Sequence, residues 1–92
     1  MAITGTVRAN SIFADSPENL TKAINLLIDG DTQSLAQMAE DDTAVPCAKA
    51  LKVVIDDVSV LGRYVKWHLP GHADRECYSR PSDVTLDLPD GK

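Results

Sequence analysis

The stretch 46–69, PCAKALKVVIDDVSVLGRYVKWHL, constrains this chain most, because it is the longest run with helical periodicity. At about 100° per residue, Ala48, Leu51, Val54, Ile55, Val58, Leu61 and Val65 fall on one face. Val53, Val60, Tyr64 and Trp67 fall nearly opposite, and Lys49, Lys52, Asp56, Ser59, Arg63 and Lys66 form a polar strip between them. A helix apolar on two sides has two surfaces to hide, and 92 residues leave little chain to hide them with. The second face is therefore expected to be covered by the terminal strands, by a second copy or by a partner protein.

Local signals place the other elements. Ile3, Gly5, Val7 and Ala9 alternate with Thr4, Thr6 and Arg8, a strand pattern. Ser16-Pro17-Glu18 starts a helix with a capping hydroxyl, a proline in the first turn and an acid at the positive end of the dipole. Leu20, Ala23, Ile24, Leu27 and Ile28 form its apolar stripe, and Gly30 ends it. Asp31 or Thr32 caps a shorter helix with Leu35, Met38 and Ala39 on its apolar face. Val45 before Pro46 fixes the start of the long helix, and Leu69-Pro70-Gly71 its end. Val84, Leu86 and Leu88 alternate as a second strand. The predicted fold is a single α+β domain over 1–92: three helices, the last long and central, with a small antiparallel ribbon of the two terminal strands resting on a helical face.

The net charge of −5 is unevenly spread. Residues 1–45 hold seven acids (Asp15, Glu18, Asp29, Asp31, Glu40, Asp41, Asp42) against Arg8 and Lys22, whereas 46–92 hold seven charges of each sign. An acidic half disfavours contact with nucleic acid there and favours a basic partner. Met1-Ala-Ile-Thr-Gly-Thr has neither a basic start nor an apolar run, and Cys47 and Cys77 are too few for a disulfide scaffold. A cytoplasmic protein with free thiols is expected, with no membrane contact.

Several chemical readings meet obstacles. Residues 29–40 have the length of a calcium loop, but Ser34 stands where glycine is needed for the sharp turn and Gln33 replaces a shorter ligand. His68, His72 and Cys77 have zinc-like spacing, yet Cys47 lies roughly 30 Å from His68 on the expected helix. In its first turn Cys47 would have a lowered thiol pKa, but no base lies near it in sequence. Asp56 and Asp57 point about 100° apart on a helix, so they do not form a catalytic pair. A helix-turn-helix beginning at Ser34 would put Glu40, Asp41 and Asp42 in its turn, beside DNA phosphates. No enzyme, metal or cofactor is expected.

What remains is surface: the acids Asp29, Asp31, Glu40, Asp41 and Asp42, and the basic strip Lys49, Lys52, Arg63 and Lys66 with Trp67 as an aromatic anchor. In size, acidic N-terminal half and lack of catalytic motifs, the chain resembles the short acidic inhibitors that phages make against host defence, the anti-CRISPR inhibitors of type I surveillance complexes above all. That resemblance implies a protein that docks on a ribonucleoprotein, its acids occupying a basic groove or its basic strip touching the guide RNA. The alternative is a dimeric regulatory module of the antitoxin kind, with the terminal strands or the Val53–Trp67 face as its two-fold interface.

Overall fold

The computed structural model describes residues 3–59 and 61–87. Two α-helices form where the local caps dictate. The Ser16 hydroxyl accepts from the Asn19 amide to open α1 (Pro17–Asp29). Gly30, at φ 72°, closes it by donating its N–H to the Leu26 and Leu27 carbonyls. Asp31 opens α2 (Thr32–Glu40) by accepting from the Ser34 amide at 3.1 Å and from its hydroxyl at 2.8 Å. Charge-assisted capping holds the Asp31 carboxyl below the usual carboxylate range, the backbone hydrogen bond being the larger cause.

The remaining elements are strands: β1 (Ile3–Val7), β2 (Ser11–Ala14), β3 (Ala44–Cys47), β4 (Leu51–Val58), β5 (Val65–His68), β6 (Cys77–Ser79) and β7 (Val84–Leu86), with a 3-10 turn at Pro81–Asp83. They form one antiparallel sheet in the order β3-β2-β6-β5-β4-β1-β7. Three of its strands are bent strands seen in halves. Val7 faces Leu51 and Ser11 faces Cys47, so β1–β2 runs against β4–β3 in one unbroken register, with 8–10 opposite 48–50. β1–β2 also runs against β7–β6, where the register slips by one residue between Val7↔Val84 and Phe13↔Ser79. The extra residue lies on the β1–β2 side, where residues 8–12 stand opposite 80–83 and the 3-10 turn. β5 then joins β4 to β6, so the pairing returns to the bent strand where it began: the sheet is a small closed barrel.

Alternation along each strand divides the side chains into inside and outside. Val7, Cys47, Val53, Val65, Trp67 and Cys77 fill the interior with Phe13, Leu51, Ile55 and Val84. Trp67 is fully buried and meets Phe13 edge-on, the ring centroids 5.2 Å apart. Outside, Ile12, Ala14 and Ala44 of β2 and β3 carry the helices through Leu20, Ala23 and Met38. Tyr64 and Tyr78, edge-on at 5.2 Å, extend that outer cluster.

The barrel overturns the three-helix architecture. Among the described residues the fold is α+β with two α-helices and no long central helix: the stretch 46–69 contains the end of β3, all of β4, a turn and β5. The two-sided apolarity has a simple cause. Residues two apart fall 200° apart on a helical wheel at about 100° per residue, so a strand's alternation paints two opposite helical faces. Val53 and Trp67 are covered by the barrel's own chain, which removes the argument that this face must find a partner or a second copy. Val60 and Leu88 lie outside the described residues. Instead of forming a separate ribbon, the terminal strands belong to the sheet, β1 pairing with β4 on one side and β7 on the other.

Candidate functional site

The basic strip does not exist as a strip. Lys49 lies in the turn between β3 and β4, and Arg63 in the turn before β5, where it lines a shallow cleft with Glu18, Thr21 and Tyr64. Lys52 reaches Asp87 at 2.5 Å, and Thr4 donates to the same carboxylate, which is held below its usual range chiefly by the lysine. Lys66 pairs with Glu76 at 2.5 Å, which raises its pKa. His68 Nδ1 and Asp56 Oδ2 meet at 2.7 Å between β5 and β4. Trp67 is inside the barrel, its indole N–H donating to Ser79, so it anchors nothing on the surface.

The acids fare differently. All seven acids of residues 15–42 are exposed, and they lie on the helices or at their ends with a single cation, Lys22. Five of them fall into two groups, one at each end of α2, about 13 Å apart along its axis, while Asp15 and Glu18 stand at the start of α1. Asp29 and Asp31 stand at the α1–α2 turn; Glu40, Asp41 and Asp42 stand at the far end. Several are already engaged. Asp15 accepts from Asn19, Asp41 accepts from Gln37, and Asp42 pairs with Arg75. Glu18, Asp29 and Glu40 carry their charge without a side-chain hydrogen bond or ion pair among the described residues.

Two of the depressions near this layer are distinctly apolar. A groove of about 290 Å³ runs between α2 and the outer face of β2–β3, lined by Asn10, Ser11, Ile12, Leu27, Thr32, Leu35, Ala36, Ala39, Pro46 and Arg80. Next to it are the most exposed large apolar residues of the helices, Leu27 at 50% and Ile28 at 76%. The sequence pattern hid this groove because Leu27 and Ile28 read as ordinary members of the α1 stripe, although α1 fully buries only Leu20 and Ala23. The second depression, about 240 Å³, opens at the barrel mouth between Phe13, Val45, Trp67 and Leu69, with His72, Arg75, Asp42 and Cys77 around it. It holds no poised nucleophile. Burial pushes the Cys77 thiol up, and Asp42 is committed to Arg75.

Cys47, expected at a helix start, lies on β3, where burial pushes its thiol up and its Sγ donates to the Lys49 carbonyl at 2.8 Å. The helix-turn-helix reading fails for the same reason, since a strand follows α2. Among the described residues no three His, Cys, Asp or Glu side chains gather in a way that would hold a metal ion, and no helix is long and apolar enough to cross a membrane. No protein-family model, curated protein or solved structure matches the chain.

Proposed function

We propose that the protein is a non-enzymatic binding protein whose acidic helical layer docks on the basic surface of a nucleic-acid-handling assembly, in the manner of a phage-type inhibitor. The observation that supports this is the partition of charge: seven exposed acids and one lysine on the helical layer, against a barrel whose lysines 52 and 66 are paired with acids of its own. A surface of one sign, exposed and only partly satisfied internally, steers toward the opposite sign over distances of a Debye length, about 8–10 Å at moderate salt. Occupying such a surface blocks nucleic acid by exclusion and needs no chemistry.

The format resemblance makes a type I CRISPR surveillance complex the first assembly to test. The wild-type protein is expected to bind the purified complex and to suppress its shift of target DNA in a mobility assay. A triple variant, Glu18→Lys, Asp29→Lys and Glu40→Lys, changes only carboxylates that take no part in capping α2 or pairing Asp42, and it is expected to lose both effects while keeping the wild-type circular dichroism. Equal binding by wild type and variant would falsify the acidic-layer reading, and so would an unaltered DNA shift with wild type bound.

A further inference from the structure

We infer that the groove between α2 and the β2–β3 outer face receives apolar side chains from a basic amphipathic helix of the partner. This rests on the acidic-layer reading and adds to it a shape and a partner chemistry. Ile12 forms the floor, and Thr32, Leu35, Ala36 and Ala39 form one wall at the i, i+3, i+4, i+7 spacing of a single helix face. Its volume of about 290 Å³ is at the small end of ligand pockets, which run from about 300 to 1,000 Å³, and suits protruding side chains better than a whole small molecule.

The edge strand beside the groove tells against a strand as occupant. The Thr43 and Cys47 carbonyls both accept from the β2 side, so Ala44 and Pro46 direct their backbone groups to the open edge. Proline has no N–H to offer there, which blunts the edge for strand addition. A helix laying its apolar face into the groove needs no backbone pairing.

Charge selects among the helices that would fit. Asp29 and Asp31 stand near one end of the groove, and Glu40, four residues after Ala36, stands near the other. Arg80, the one cation in the lining, is neutralised by Asp83 at 2.9 Å. Nucleic acid and anionic lipid would be repelled by this rim, and a second copy would bring the same acidic layer against it. Lysine and arginine flanking leucine-like anchors complement both the floor and the rim.

The test uses the full chain and three synthetic peptides of about four helical turns: leucine anchors with lysines, serines in place of the leucines, and glutamates in place of the lysines. The leucine–lysine peptide is expected to bind, to shift the amide resonances of Ile12, Leu35 and Ala39, and to be weakened about tenfold or more by Ala36→Trp, which fills the groove from an exposed helix position. The other two peptides are expected to bind at least about tenfold more weakly. Equal binding of the leucine and serine peptides, shifts confined to residues outside the groove, no binding of the leucine–lysine peptide, or groove-dependent self-association of the protein would each overturn the inference. The shift map on the wild-type protein decides the matter even where Ala36→Trp fails to fold. Loss of binding in the Glu18, Asp29, Glu40 triple variant together with no effect of Ala36→Trp would refute the groove while leaving the acidic-layer reading standing.

Discussion

Trp67 Nε1 donates to Ser79 Oγ at 2.9 Å inside the barrel, with both side chains completely shielded from water. The bond crosses from β5 to β6, the pairing that closes the ring, and it satisfies the only polar atom of the largest side chain in the interior. Ser79→Ala strands that N–H in an apolar space, and a buried donor left unmade costs about 1–3 kcal/mol. The expected outcome is a lower urea midpoint with an unchanged slope, followed by the fluorescence of Trp67, the single tryptophan. An unchanged midpoint would mean that the indole is not buried as described.

Gly5 marks where β1 and its neighbours come too close for a side chain. A Cβ there would lie 2.8 Å from the Thr85 carbonyl oxygen and 3.1 Å from Ile55 Cδ1. The first obstacle is backbone, so Gly5→Ala must displace β7 and is expected to cost about 1–3 kcal/mol, the range of overpacked cores. Gly30 offers the contrast, with φ 72° and nothing within 4 Å of a built Cβ. Gly30→Ala meets only left-handed strain of about 1–2 kcal/mol, and Gly30→Asn is expected to recover most of it. Thermal melts of Gly5→Ala, Gly5→Asn and the Gly30 pair separate the two causes: asparagine rescues position 30 and not position 5.

The parts of this fold that were legible in the sequence are those whose cause is local. Ser16, Pro17, Gly30 and Asp31 act on amides and carbonyls within four residues, and α1 begins and ends, and α2 begins, where those residues place them. The barrel was not legible, because its cause is pairing between residues such as Val7 and Val84 that lie far apart in the chain. One signal was available in the misread stretch. Val53, Val54, Ile55, Val58, Val60 and Val65 are β-branched, and Gly62, which adopts φ 68° in the turn before β5, interrupts the run where a helix would be penalised. For the site, the acids were visible as charges, but composition did not reveal which of them are spent on caps and ion pairs, and the groove depends on how α2 rests against β2 and β3.

Asp31 gives the molecule a pH dependence with a definite sign. Its carboxyl is depressed in the folded state by the Ser34 amide and hydroxyl, while the unfolded chain restores the ordinary aspartate value of about 4. The unfolded state therefore takes up the proton first as pH falls, so the stabilisation is complete above about pH 4 to 5 and is lost as pH drops through the folded value. Asp31→Asn keeps a capping oxygen and removes the titration. Its stability relative to wild type is expected to improve as pH is lowered from 5 toward 3, the difference being read from urea midpoints at each pH. Asp31→Ala removes the cap as well and is expected to lower the urea midpoint near neutral pH, where Asp31→Asn lowers it less.

Cys47 and Cys77 occupy the same interior cluster but different places in the topology, and that difference should be visible in their reactivity. Both are nearly shielded, at 4% and 6% exposure, and burial pushes both thiols up, which disfavours the thiolate in the folded protein. Modification by a thiol reagent then requires opening of the structure, at a rate set by the free energy of that opening. Cys77 lies on β6, which is paired with both β2 and β5, so exposing it means breaking the closed ring. Cys47 lies on β3, an edge strand paired only with β2, which can detach while the ring stays closed. Cys47 is expected to react first, with Cys77 following only as fast as global unfolding, measured by mass spectrometry on timed samples of Cys47→Ala, Cys77→Ala and wild type. The raised folded-state values add a second expectation: stability holds below the unfolded thiol value of about 8.5 and falls as pH rises from there toward the folded values, because the unfolded state ionises first. Faster reaction at Cys77 than at Cys47 would contradict the ring closure through β5 and β6.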